Sequence, residues 1–379
     1  MRNPPLSLYV HIPWCVQKCP YCDFNSHGLK SALPEKEYIA HLLDDLAIDA
    51  TRVGARSVES IFIGGGTPSL FSPEGIAELL QGIKTRVKVA DDAEITMEAN
   101  PGTVESGRFA GFYQAGINRI SVGIQSFQTA HLKTLGRIHN DTQAIEAIQQ
   151  AHTAKLPTFN LDLMHGLPDQ TVENALSDID KAIALSPYHL SWYQLTIEPN
   201  TPFYSRPPEL PDDDILWEIQ QQGHRLLQNA GFHQYEISAY AKPGHQCRHN
   251  LNYWRFGDYI GIGCGAHGKI TDVQSNTITR TVKVKHPRGY MEISRPYTDA
   301  ENLVEHDDLP FEFFMNRFRL VEPCPIDDFS ALTGISLPQA CEEALNNAQA
   351  QALITVSPTH WQVTEKGRRY LNTLLSCFV

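Results

Sequence analysis

Leu6-Ser7-Leu8-Tyr9-Val10-His11-Ile12-Pro13-Trp14-Cys15-Val16-Gln17-Lys18-Cys19-Pro20-Tyr21-Cys22 runs from a strand-like apolar segment straight into three cysteines. The Cys15-x3-Cys19-x2-Cys22 spacing gathers three soft thiolates within eight residues, and Pro13 and Pro20 discourage a regular helix across them. Thiolates this dense in one loop can wrap an iron–sulfur cubane. Such a 4Fe-4S cluster normally takes four cysteines, so three leave one iron open to a further ligand. Zinc is the competing reading, because His11 and His27 stand near enough in sequence to close a tetrahedral set; three buried free thiols are the plainest one. The chain's eight cysteines form no dense, regular array, which excludes a disulfide-stapled secreted domain.

Outward from this segment, short β-branched or aromatic runs alternate with helical patterns as far as Ala230, the signature of repeated βα units and a parallel sheet. Six runs suit strands buried on both faces: Leu6–Ile12, Ser57–Ile63, Glu94–Glu98, Arg119–Gln125, Phe159–Met164 and His189–Thr196. Between them, Glu35–Arg52, Pro73–Val87, Val104–Ala115, Thr142–Ala154, Thr171–Leu185 and Asp212–Ala230 carry apolar residues at the three-and-four spacing of amphipathic helices. Six such units predict an α/β fold, a partial (β/α)6 barrel. Parallel barrels place their chemistry on the loops after each strand, and the unusual residues fall there: the Cys15 loop, Gly64-Gly65-Gly66-Thr67-Pro68, Glu98, Gln125 and Asp162. After Gly231 the pattern loosens into a loop-rich extension with a glycine-rich Gly257–Gly268 segment. From about Phe311, three helices, two strand-like pieces around a Ser357-Pro358-Thr359 turn and a last helix predict a mainly helical, winged-helix-like domain. The expected domains are 1–230, 231–305 and 306–379.

The 379 residues are 42% hydrophobic with a formal net charge of -12, enough for a large core but no electrostatic footprint for nucleic acid. No apolar run is long enough to span a bilayer, and Met1-Arg2-Asn3-Pro4-Pro5 leads into a strand with no signal core behind it. A cytoplasmic protein is expected, with any contact to the inner membrane peripheral.

The cysteine spacing with an aromatic, Tyr21, before the third cysteine, together with Gly64-Gly65-Gly66-Thr67-Pro68 at the second strand end, resembles the radical S-adenosylmethionine (radical SAM) superfamily. Over essentially the whole chain it resembles the branch that contains oxygen-independent coproporphyrinogen III oxidase. That resemblance implies a 4Fe-4S cluster on Cys15, Cys19 and Cys22, with S-adenosylmethionine beside it. Tyr9, Tyr21, Gly65, Gly66 and Thr67 would contact the cofactor's methionine part and the cluster surroundings, and Glu98, Gln125, Arg137 and Asp162 the remainder. Taken singly, a triple glycine is also what a tight backbone contact needs, Glu98 or Asp162 could cap a helix, and Arg137 could be a surface ion-pair partner.

Within this branch the oxidase pattern carries a further cysteine two positions after the third, where this chain has Phe24, and the first strand begins almost at residue 6. Both departures point away from oxidative decarboxylation, the alternative reading, and towards the haem chaperones of the family, which bind haem and pass it to respiratory haem proteins. His249-Asn250-x-x-Tyr253-Trp254 carries that resemblance: imidazole is a standard axial ligand of haem iron, and aromatic faces suit the macrocycle. Cys247 is a second candidate ligand, and Gly261–Gly268 is expected to border the same pocket. A homodimer gated by the cluster is a further expectation, and whether S-adenosylmethionine is cleaved stays open. DNA binding through the C-terminal domain conflicts with the acidic balance.

Overall fold

The computed structural model describes residues 1–103, 107–292 and 294–378, so Val104–Ser106 of the helix expected from Val104, and Val379, lie outside the described residues. The six expected strands form as β1 (Leu6–Ile12), β2 (Ser57–Gly65), β3 (Lys88–Ala99), β4 (Arg119–Gln125), β5 (Thr158–His165) and β6 (His189–Gln194). The helices between them are α1 (Glu35–Val53), α2 (Pro73–Lys84), α3 (Arg108–Ala115), α4 (Asp141–Thr153), α5 (Val172–Ala184) and α6 (Asp213–Asn229). Local chemistry sets their ends. Ser72, Asn140, Thr171 and Asp212 each accept a backbone N–H of the first turn that follows, and Gly116 closes α3 in the left-handed conformation.

The strands are buried on both faces, but the two faces differ. Along β4, Ile120, Val122 and Ile124 join the core packed under the helices, while Arg119, Ser121 and Gln125 point to the opposite, inner side. The same alternation puts Phe159 and Leu161 against Asn160 and Asp162 on β5, and Leu190 and Trp192 against His189 and Ser191 on β6. A polar inner wall is what a parallel sheet built to hold a ligand requires, since each buried polar group there must find a partner.

The extension after Gly231 departs from the loop-rich expectation. It supplies β7 (His233–Glu236), β8 (Ala239–Ala241), β9 (Asp258–Ile262), β10 (His267–Asp272), β11 (Thr277–Lys283) and β12 (Thr298–Leu303), which complete one twelve-stranded sheet in the order β12-β11-β10-β9-β1-β2-β3-β4-β5-β6-β8-β7. Strand β9 pairs parallel with β1, Leu6 opposite Asp258 through Val10 opposite Ile262. Its glycines disguise it, because they serve close packing: Gly263 has φ 98° with the His11 carbonyl oxygen where a Cβ would sit. Buried Lys283 binds Asp45 (2.6 Å) and Asp49 (2.7 Å) of α1, which locks this added half of the sheet onto the first βα unit.

The C-terminal region forms as read, with helices Leu309–Arg317, Ile326–Thr333 and Gln339–Ala350 followed by a hairpin of Ile354–Val356 and His360–Val363. Cys324–Pro325 adds a third short strand. Its aromatic core of Phe313, Phe314, Phe318, Phe329, Trp361 and Phe378 is separate from that of the sheet, and Phe256 and Ile278 of the extension pack into it. Among the described residues no helix is long and apolar enough to cross a membrane.

Candidate functional site

At the carboxyl ends of the parallel strands a cavity of about 430 Å3 opens. Cys15, Cys19, Tyr21, Cys22, Gly65, Gly66, Thr67, Glu98, Gln125, Arg137 and Asp162 all line it. Two-residue strands Trp14–Cys15 and His27–Gly28 pair across the base of the cysteine loop and fix its ends. Burial and the neighbouring thiols push Cys15 up, and burial pushes Cys22 up, so these two thiols resist ionising unless a cationic centre compensates them. Among the described residues no three His, Cys, Asp or Glu side chains converge on one point tightly enough for a single ion. A lone zinc would need sulfurs roughly 4 Å apart, about 2.3 Å from the metal, whereas a cubane presents a separate iron to each thiolate. His11 is also spoken for: its Nε2 lies 2.8 Å from the Asn25 carbonyl oxygen and its Nδ1 2.9 Å from the Tyr9 hydroxyl. The donor set fits the cluster and leaves zinc without its fourth ligand from His11.

Next to the thiols the wall is acidic. Glu98 Oε2 accepts the Gly65 N–H (3.0 Å), and burial, with Asp162 nearby, pushes its carboxyl up to about 8. Asp162, also raised by burial, accepts from Ser121 Oγ (2.9 Å) and Asn160 Nδ2 (2.7 Å). Neither residue caps a helix; the two carboxyls adjoin on the inner wall of the cavity. Arg137 is no surface ion-pair partner either. Its Nη2 donates to the Gly123 carbonyl (2.7 Å) and its Nη1 lies 3.7 Å from Cys19 Sγ, which puts a fixed cation beside the sulfur. Gln125 holds φ 69° at the end of β4, a strained value for a residue with a side chain, and its amide oxygen accepts from the Tyr193 hydroxyl (2.9 Å). In the glycine run, Gly65 has φ 114° and a Cβ on Gly66 would strike the Trp14 carbonyl. The Gly65 N–H goes to Glu98 and the Gly66 N–H to the Ile12 carbonyl (2.7 Å).

Tyr9 and His249 fall elsewhere, on a second cavity of about 750 Å3 that shares Asp23, Phe24, Ser26, Gly65 and Glu98 with the first. His249 lies on α7 (Arg248–Trp254), a short helix where the sequence suggested a loop. Glu94 of β3 places it, accepting the backbone N–H of Arg248 (3.0 Å) and of His249 (3.2 Å), two of the orphan donors of a helix start. Ser60 Oγ lies 3.1 Å from His249 Nδ1, Ser7 Oγ 2.7 Å from Ser60 Oγ, and Asn252 Nδ2 donates to Ser7 (2.8 Å). Burial, with Arg119 next in weight, pushes the imidazole down to about 3, so it is neutral at physiological pH. In the tautomer that directs Nδ1–H at the Ser60 hydroxyl, the ring keeps its lone pair on Nε2. Tyr253 lines the same cavity; Trp254 turns away, with the Arg319 guanidinium 5.1 Å over its ring. Cys247 is not a ligand candidate in this geometry. Its thiol is buried against Glu94 (3.4 Å) and pushed up to about 12 by burial. Gly265 and His267 border the cavity, as the glycine-rich segment suggested.

Sequence reading missed Asn25, whose Nδ2 reaches the carbonyls of Cys264 (2.9 Å) and Lys285 (2.8 Å) and staples the cysteine loop to the extension. It also missed Tyr193, Ser60 and Glu94. Tyr193 alone left a trace, the inward register of β6.

A three-thiol loop over the carboxyl ends of a parallel sheet, next to an acidic wall, defines a radical S-adenosylmethionine protein, and residues 9–179 match the Radical SAM superfamily. Residues 304–370 match the HemN C-terminal domain. Heme chaperone HemW of Escherichia coli is 58% identical over 383 residues, covering 100% of this chain and 99% of the relative. Heme chaperone HemW of Haemophilus influenzae is 58% identical over 382 residues with the same coverage. The chain belongs to the heme chaperone HemW family. The solved structure of coproporphyrinogen III oxidase (HemN) from Escherichia coli superposes with a TM-score of 0.84 at 22% identity, over 99% of this chain and 90% of that one, a likeness of fold.

Proposed function

We propose that this chain binds haem in the second cavity through His249 and passes it to respiratory haem proteins, with a 4Fe-4S cluster and S-adenosylmethionine in the first. The observation that carries the reading is His249 itself, a neutral imidazole held through Nδ1 by Ser60 on the wall of a cavity that adjoins the cysteine loop. Cys15, Cys19 and Cys22 hold the cluster, which when bound supplies a low-potential electron centre with one open iron. Glu98 and Asp162 receive the positive charge of S-adenosylmethionine, Gln125 and Tyr193 its polar groups, and Arg137 steadies the Cys19 sulfur. Tyr9, bonded to His11 and stacked on Phe62 (6.4 Å), supports the wall between the two sites.

Oxidative decarboxylation is the less favoured reading. Phe24, 57% exposed, faces both cavities with an apolar ring where the oxidase pattern has its further cysteine, which suits a macrocycle held rather than processed. The work is placed in the cytoplasm with at most peripheral membrane contact, and a homodimer is part of the proposal. Mixing the anaerobic haem-loaded protein with an apo-haem protein tests it. Growth of the acceptor's own haem spectrum is expected, with no decarboxylation of coproporphyrinogen by the same preparation. Turnover of the porphyrinogen without haem transfer would overturn the reading.

A further inference from the structure

We propose that Lys18 and Lys285 form the subsite for the two propionate carboxylates of haem, at the cysteine-loop end of the second cavity. This rests on the haem reading above and fixes which edge of the macrocycle faces out.

Lys18 and Lys285 are the lysine or arginine side chains among the residues lining that cavity. Neither ammonium pairs with a carboxylate among the described residues; Lys18 Nζ donates to the Phe24 carbonyl (3.1 Å). Two cations without counter-ions on one rim stand out in a chain of net charge -12. Both are exposed, whereas Tyr259 is buried and His249 and Tyr253 are half-buried, so the two cations stand at the solvent end of the cavity.

Haem has the complementary shape, an apolar macrocycle with both carboxylates on one edge. Burying those carboxylates would be costly, and charge-assisted hydrogen bonds at a wet rim avoid it. The two lysines arrive from segments far apart in sequence, yet they are tied together. Asn25, next to the Phe24 that Lys18 grips, donates to the carbonyl of Lys285 (2.8 Å). Burial lowers His27 and His267; His286 and then Lys18 act in the same direction on the first, against the Lys285 carbonyl, and Lys285 and then Arg280 on the second. The opposing charges are few. Asp23 shares the rim, exposed to solvent, and Glu98 is half-buried and accepts the Gly65 N–H (3.0 Å).

The test titrates the anaerobic, cluster-loaded full chain with haem and with haem dimethyl ester, in which both carboxylates are masked and the iron is intact. Wild type should prefer haem. Lys18→Gln and Lys285→Gln should each weaken haem about five-fold, leave the ester unchanged and together abolish the preference, and Lys285→Arg should restore it. Equal affinities for haem and ester in wild type, or equal weakening of both by Lys285→Gln, would overturn the subsite. The ester also separates the two claims. If the iron spectrum of bound ester is the same in His249→Ala, the axial-ligand reading fails; if that spectrum depends on His249 while haem and ester bind alike, only the subsite fails.

Discussion

Glu98 is a carboxyl that the fold keeps from ionising, and its chemistry can be read without any cofactor present. In the unfolded chain it titrates near 4.5 and in the fold at about 8, chiefly through burial. Between those values unfolding releases its proton, so this residue's contribution to stability is full below the lower value and lost as pH rises through the upper one. Glu98→Gln should therefore flatten the decline in unfolding midpoint of the cluster-free protein from about pH 5 to about pH 9; parallel declines for both proteins would contradict the assignment. At this scale the legible residues were those whose chemistry is displayed locally. The three cysteines, the glycine run, Glu98 near a strand end and Asp162 within the fifth strand announce themselves through spacing or position. Asn25, Ser60 and Glu94 do not, because each is an ordinary polar side chain whose role comes from a partner across the sheet. Cys247 was misleading for the same reason: two residues from His249, it is buried against Glu94 and is not among the residues lining the cavity.

Among the elements, α7 depends on one side chain. Glu94 receives the first N–H groups of that helix and lies beside buried Arg119, 2% exposed, so it fixes where His249 points. Glu94→Gln should cost about 1–2 kcal/mol and speed hydrogen exchange at the Arg248 and His249 amides; unchanged exchange there would refute the capping role. The turn between β9 and β10 is the second sensitive place. Gly265 has φ 75°, and a Cβ there would collide with the Asn25 amide. Gly265→Ala should loosen the cysteine loop and lower the iron and sulfide retained after reconstitution, and full retention would show that the staple is dispensable. The six parallel strands before Gly231 were legible because strands covered on both faces carry apolar runs that nothing else needs. Strand β9 was not, since Gly261 and Gly263 removed the β-branched signal in order to let the backbones of His11 and His267 approach. Nor could periodicity tell that the inner faces of β4, β5 and β6 are polar, because alternation inside a buried strand reveals two faces without saying which is wet.

Across the whole molecule, the two cavities share the residues that follow the third cysteine, Asp23, Phe24 and Ser26, so the state of the cluster loop reaches the second cavity through covalent chain. Stripping iron and sulfide frees the loop that carries Lys18, Phe24 and His27 to that cavity. The stripped protein should bind haem more weakly than the reconstituted one, and equal affinities would uncouple the sites. The composition of the chain foretold the large core and the acidic surface, but not that the extension would complete the sheet and carry one wall of the second site. The proposed haem binding turns on His249 Nε2 as the iron ligand in that site. Anaerobic haem titration of the cluster-loaded wild type against His249→Ala, followed by absorption, tests it most directly. The prediction is saturable binding in wild type with an imidazole-ligated spectrum that the variant loses, while its cluster absorption is retained. Identical spectra and affinities in the two proteins would contradict it.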